Sequence, residues 1–230
     1  MLKPSISIII PVENESAVID ALLEHLSPLK EQCEIIFVDG GSSDGTVELL
    51  TSMGYEQNAG AAKGRANQMN HGASLASGDV LWFLHADCAP PPNALPQIWN
   101  ILERGYSAGC FRIRFDSRQP LMVYNSLASN LRVRLRNVAF GDQGIFIKRE
   151  LFEEIGGYAA IPLMEDYQLS IDVKKAGLNF GITRGKITTS ARRYRENGML
   201  RTMMLMQVLQ RRFRRGVDVR EIAKAYDDRS

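Results

Sequence analysis

Two apolar runs rich in β-branched residues, Ser5 to Val12 and Glu34 to Asp39, flank a helical stretch, and a third run, Val80 to Leu84, follows two more. This alternation constrains the fold more than any other feature. Between the first two runs, Val18, Ile19, Leu22, Leu23 and Leu26 recur at helical spacing, and Asn14 can cap their helix. A second helix is expected from about Asp44 through Val47 to Met53, and a third from about Lys63 to Ala76. Continuous apolar strands alternating with helices predict an α/β fold with a mostly parallel central sheet, helices on both faces and right-handed crossovers. Further along, a strand is expected around Cys110 to Phe115, a helix over Leu121 to Leu135, a short strand over Gly144 to Lys148, and helices over Glu150 to Ile155 and Glu165 to Ala176. C-terminal helices occupy Met199 to Tyr226.

A length of 230 residues suits one domain, read as a first half of about residues 1–115, a second of about 116–195 and a helical tail of about 196–230. The net charge of +2 gives no electrostatic case for nucleic acid. Cys33, Cys88 and Cys110 are odd in number and lack CxxC spacing, which argues against a disulfide frame or zinc site and suits a reducing, cytoplasmic setting. The chain opens without a secretory signal pattern, and no apolar run nears the roughly 20 residues that span a bilayer.

The third run closes on LeuHisAlaAspCys, which puts Asp87 where a strand leaves the sheet. Open α/β sheets bind ligands at such edges, and a hard cation such as Mg²⁺ or Mn²⁺ shares oxygen ligands with substrate phosphates. An acid after a strand also commonly forms a turn or helix cap. Pro11 ends the first strand and lets Glu13 reach a ribose hydroxyl or base edge, the alternative being a solvated loop acid. Asp39 precedes Gly40 and Gly41, whose bare backbone admits a nucleoside. Arg65, with Lys63, opens the third helix, where the positive dipole end favours a diphosphate, although a solvated helix start explains it equally. Asn67, Gln68 and Asn70 could bridge that helix to a nucleotide, yet polar helix faces are common and need no ligand.

SerIleIleIleProValGluAsnGlu at 7–15, ValAspGlyGlySerSerAspGlyThr at 38–46, LeuHisAlaAsp at 84–87 and MetGluAspTyr at 164–167 together resemble the family 2 glycosyltransferases. GlyArgAlaAsnGlnMetAsn at 64–70, GlyAspGlnGly at 141–144 and SerAlaArgArgTyr at 190–194 are similar to a bacterial subgroup described as radical-SAM/selenodomain-associated transferases. The resemblance implies a fold of GT-A type and metal-dependent, inverting transfer from a nucleotide diphosphate sugar to a small-molecule or lipid-linked hydroxyl acceptor. It implies Asp87 as the metal ligand, with Mg²⁺ or Mn²⁺ as cofactor, and Asp166 as catalytic base with Glu165 beside it to position the acceptor. His85 replaces the usual first acid of the metal element, either to contact phosphate or ribose or to pack as a neutral ring. Arg192 and Arg193 could clamp the diphosphate, while Asp142 and Gln143 would line the acceptor pocket. Gly40 stands where the family commonly has a base-contacting acid.

The tail combines Leu200, Met203, Met204, Val208 and Leu209 with Arg201, Arg211, Arg212, Arg214 and Arg215. Such a helix can pack on the domain with a solvated basic end, make a peripheral contact at the inner membrane face, or pair in a homodimer. Two other functions remain open: a nucleotide-sugar or lipid-head-group binding module with a decayed metal site, and a nucleotidyltransferase. The acidic ProValGluAsnGlu after the first strand disfavours the latter, which would want a Gly-rich basic loop there.

Overall fold

The computed structural model describes residues 3–58 and 61–227. Strand β1 (Ile6–Val12) is buried along its whole length because it lies mid-sheet with both faces covered. Ile8, Ile10 and Val12 face helix α1 (Ser16–Leu26), which buries Ile19, Leu22, Leu23 and Leu26, whereas Ile9 joins the core on the other face. This period of two under a two-sided cover explains why the run is apolar without a break. After β2 (Glu34–Asp39) come α2 (Thr46–Ser52), β3 (Gln57–Asn58) and α3 (Arg65–Leu75), whose Ala66, Met69 and Ala73 cover Ile9. β4 (Val80–Phe83) then pairs parallel with β1, and the short β5 (Cys88–Ala89), α4 (Ala94–Glu103) and β6 (Ala108–Phe115) follow.

The second half contains α5 (Pro120–Arg136), a 3-10 turn (Gly141–Gln143), β7 (Phe146–Lys148), α6 (Arg149–Glu154), α7 (Glu165–Lys175) and β8 (Phe180–Thr189). The chain ends in α8 (Arg192–Asn197), α9 (Met199–Arg214) and α10 (Val219–Asp227). The described strands form one eight-stranded sheet in the order β3-β2-β1-β4-β7-β6-β8-β5. β7 runs antiparallel to both β4 and β6, while β6 and β8 are parallel. The carboxyl ends of β1, β2, β4, β6 and β8 therefore share one edge with the turn that precedes β7. That edge holds the candidate site.

Several local expectations change. Asn14 does not cap α1: Glu15 occupies the N-cap position, and Asn14, at φ +56°, accepts a hydrogen bond from Ser43 N through Oδ1. The α1 start is held instead by Asp44, whose Oδ2 accepts from Ser16 N while Oδ1 accepts from Thr46 N at the start of α2. The tail is two helices, broken at Gly216 with φ +75°. Strand β8 and helix α4 went unread because Gly181, Arg184, Gly185 and Lys186 interrupt the apolar pattern of the one, and Pro90 to Pro92 with Pro96 disguise the other. Pro96 sits in the first turn of α4, where its missing N–H costs little.

Gln68 and Asn70 also prove to be framework residues. Gln68 is buried, and its Nε2 donates to Val12 O and Val38 O, both at 2.9 Å, stapling the ends of β1 and β2. Asn70 bonds both ways with the Tyr158 backbone, and Asn67 Nδ2 donates to Lys63 O. Gln68 also explains Gly40, where a Cβ would lie 2.9 Å from Gln68 Nε2. Gln68→Ala should lower stability by about 2 kcal/mol, through an abandoned carbonyl and a small cavity, read as a lower denaturant midpoint.

Candidate functional site

A cleft of about 410 Å³ opens at the carboxyl edge. Pro11, Arg65, His85, Asp87, Asp142, Glu165, Asp166, Arg192 and Arg193 all line it, so segments far apart in sequence converge there. Glu13, Asp39 and Gln143 do not. Glu13 stands beside the cleft, 4.0 Å from Lys63 Nζ. The Asp39 carboxylate accepts from Gly41 N and Ser42 N, shaping the loop after β2. Gln143 is wholly buried: its Oε1 accepts from Arg132 Nη2 at 3.0 Å and its Nε2 donates to Phe111 O, which removes it from the acceptor pocket.

His85 and Asp87 follow β4 directly. The His85 ring packs against Gly141, where a Cβ would overlap Nε2 and Cε1. Burial and the nearby Arg65 and Arg193 push the imidazole well below its usual pKa, so it is neutral. From the same turn, Gly141 N donates to Asp166 Oδ2 at 2.9 Å, and Asp166 Oδ1 accepts from Tyr167 N at 2.7 Å. Asp166 thus opens α7 with a carboxylate fixed by two backbone donors. Its neighbour Glu165 is buried and lies 3.9 Å from Arg65 Nη1 across the cleft.

Acids crowd this space. Burial raises Asp166 and Glu165 together, and it pushes Asp142 up to about 7, where Oδ1 is shut from solvent without a partner. Glu15 is a site residue not anticipated from sequence. It is half-buried, its Oε2 has no partner, and burial and then the charge of Asp87 raise its pKa. The positive φ of Asn14 lies between Glu13 and Glu15, and Glu15 is the one that lines the cleft. Thr202, Met206 and Tyr226 of the C-terminal helices are also in the wall, with Tyr226 stacked 4.9 Å beneath Arg193. No signal in the sequence places them there. Among the described residues no cluster of three or more His, Cys, Asp or Glu side chains is grouped to hold an ion. Asp87 and Glu15 nevertheless supply hard oxygen donors, one of them orphaned, which suits a cation that completes its shell with diphosphate and water.

Raised acids imply a pH dependence. Above the ordinary carboxylate range of about 4 and up to about 7, these acids keep protons in the folded chain that they release in the unfolded one, so their contribution to stability falls as pH rises through that window. The neutral His85 opposes it below about 6.5, one imidazole against the raised Glu15, Asp142, Glu165 and Asp166. Thermal unfolding without metal or nucleotide should show a lower Tm at about pH 8 than at about pH 5, and Glu165→Gln should flatten that decline.

Burial pushes the thiols up, Cys33 to about 11, Cys110 to about 12 and Cys88 well above its usual value. No helix among the described residues is long and apolar enough to cross a membrane.

The fold has solved counterparts. The mannosyltransferase PcManGT of Pyrobaculum calidifontis, in complex with GDP-Man and Mn²⁺, superposes with a TM-score of 0.68 at 18% identity, covering 98% of this chain and 70% of that one. Glucosyl-3-phosphoglycerate synthase of Mycobacterium tuberculosis, in complex with Mn²⁺, UDP-Glc and phosphoglyceric acid, gives 0.61 at 21% identity over 81% of this chain and 70% of that one. Both have the GT-A glycosyltransferase architecture, with a mostly parallel sheet flanked by helices. In sequence, the undecaprenyl-phosphate 4-deoxy-4-formamido-L-arabinose transferase of Yersinia enterocolitica is 38% identical over 155 residues, 62% of this chain and 47% of that protein. Its Yersinia pestis counterpart is 36% identical over the same shares. The chain spans about half the length of these relatives. The model of Glycosyl transferase family 2 matches residues 7–162, from the first strand to just short of Glu165. That match takes in strands β1 to β7 with Asp87 and Asp142, leaving Glu165, Asp166 and β8 beyond its end, and the chain belongs to glycosyl transferase family 2.

Proposed function

We propose that the chain transfers a sugar, with inversion at the anomeric carbon, from a nucleoside diphosphate sugar to an acceptor hydroxyl. The observation that carries this reading is the joint placement of Asp87 and Asp166 in one cleft, where Gly141 bonds to Asp166 and packs against His85. The first half of the chain holds the donor at the carboxyl ends of β1, β2 and β4. Residues after about 116, with the C-terminal helices, hold the acceptor.

In this mechanism Asp166 accepts the proton of the acceptor hydroxyl as its oxygen bonds to the anomeric carbon and the bond from that carbon to the diphosphate breaks. Gly141 N–H and Tyr167 N–H hold the carboxylate still while each oxygen keeps a free lone pair. Arg65, Arg192 and Arg193 face the diphosphate as its negative charge grows. Glu165 and Asp142 orient the acceptor. Asp87, with Glu15, would hold Mg²⁺ or Mn²⁺, which when bound neutralises charge on the leaving diphosphate. The Yersinia relatives, named as transferases for undecaprenyl phosphate, support a lipid among the candidate acceptors, one that would offer a phosphate oxygen in place of a hydroxyl.

A thermal-shift titration of UDP and GDP with and without Mn²⁺ tests the donor site, since a ligand bound only by the folded state stabilises it by RT ln(1 + [L]/Kd). Stabilisation should require Mn²⁺, and Asp87→Ala should abolish the metal-dependent part while leaving the apo Tm within about a degree or two. Undiminished Mn²⁺ dependence in Asp87→Ala would place the cation elsewhere.

A further inference from the structure

Helices α5 and α9 pack against each other and enclose a groove of about 270 Å³. The groove opens into the cleft, since Phe140, Asp142, Tyr194 and Met206 line both. Asp142 and Arg132 make its inner end polar, while Leu131, Leu135 and Met203 line it with apolar atoms. Each helix also turns an apolar stripe to solvent, which on α5 includes the groove-lining Leu131 and Leu135. Val123, Leu127, Leu131 and Leu135 recur every fourth residue on α5, as Leu200, Met204 and Val208 do on α9, with Leu135 74% and Met204 61% exposed. Contiguous exposed stripes of this kind mark an interaction surface.

The charges around the stripes indicate what covers them. Arg134 and Arg136 on α5, and Arg211, Arg214 and Arg215 at the end of α9, are exposed, and none is in an ion pair among the described residues. At helical spacing Arg211 and Arg215 continue the face of Leu200, Met204 and Val208. Neither helix contains a single Asp or Glu. A second copy laid on the same face would bring arginine to arginine with no acid to neutralise it. An anionic bilayer takes the apolar side chains at its acyl boundary and pairs its phosphates with the arginines.

We infer that the face formed by α5 and α9 docks on an anionic lipid bilayer and sets the mouth of the groove at the membrane surface. The docking stands on this surface alone, and only its use, the delivery of a lipid-linked acceptor to Asp166, rests on the transferase reading above.

The test is cosedimentation of the full chain with vesicles of phosphatidylglycerol in phosphatidylcholine, against vesicles of phosphatidylcholine alone. Binding should favour the anionic vesicles and weaken with salt. It should fall about tenfold or more in the double variant Leu127→Glu/Met204→Glu, and about fivefold for each of Arg211→Gln and Arg214→Gln. Equal or absent sedimentation with the two vesicle types overturns the inference, as does full binding by the double variant. Light scattering that shows a wild-type dimer and a monomeric double variant assigns the face to self-association and overturns it too. Manganese-dependent binding of UDP or GDP, measured on the same variants, reports separately on the donor site, so failure of the transferase reading does not pass for failure of docking.

Discussion

Asp166→Asn should reduce sugar transfer by about 10²-fold or more while nucleoside diphosphate affinity stays within a few-fold, because the general base is lost and the donor contacts are not. Asparagine fits the space. By turning its carbonyl oxygen to Gly141 N it keeps that bond, but its amide group then faces Tyr167 N–H, which formerly donated to Oδ1. The fold should therefore lose about 1 kcal/mol, far too little to explain the loss of turnover. With the acceptor unidentified, transfer is measured by incubating labelled nucleotide sugars with extract of the native host and following sugar incorporation beside diphosphate release. Equal rates for variant and wild type would remove Asp166 as the base.

Gly141→Ala should be nearly as damaging, although no functional group is lost. The new methyl would occupy the place of the His85 ring, which is held between β4 and the turn. Overpacking of a tight site costs about 1–3 kcal/mol, and relief by shifting the turn drags Gly141 N away from Asp166 Oδ2. A base misplaced by about 1 Å can lose as much as 10² in rate, so a decline in turnover larger than any change in diphosphate affinity is expected. The cause is checked in the His85→Ala background, where the methyl has room. There Gly141→Ala should cost little further stability, a coupling of about 1 kcal/mol or more in a double-mutant cycle. The same loss of Tm in both backgrounds would mean that the ring contact is not the cause.

The strands β1, β2 and β4 were legible because they are buried on both faces and so carry unbroken apolar runs. The positions of Pro11, inside the last stretch of β1, and of His85 and Asp87, just past β4, at the sheet's carboxyl edge follow from the same pattern, since a strand end fixes where its next residues go. Side chains in turns were harder. Glu13 and Glu15 belong to one motif, yet the left-handed Asn14 lies between them and only Glu15 reaches the cleft. Asp142 and Gln143 are neighbours, but the first lines the cleft and the second fills the core beneath. Composition cannot tell such pairs apart, since the direction of each is set by backbone torsion and by partners remote in sequence, here Arg132 and Phe111. The role of Gln68 is not legible for a related reason: an amide on a helix face suits a ligand or two strand carbonyls equally well. Strand β8 was missed because its pairing with β6, rather than its own apolar pattern, makes it a strand.

The tail helices rest on a foundation of their own. Leu209 and Ile222 join Val138, Met164 and Tyr167 in a small core cluster apart from the two large ones on the sheet faces, and Phe213 meets Tyr167 edge-on at 5.4 Å. Thr202, Met206 and Tyr226, which these helices bring to the cleft, are thus carried by a handful of apolar contacts on α7, whereas the strand ends opposite are clamped from above and below. Most of the buried apolar side chains of α9 and α10 lie in that small cluster, with α5 and Met199 as their other links to the domain. On the transferase reading proposed above, the acceptor side could accordingly be recut by substitutions in the tail while the donor side, built on the sheet, is left as it is.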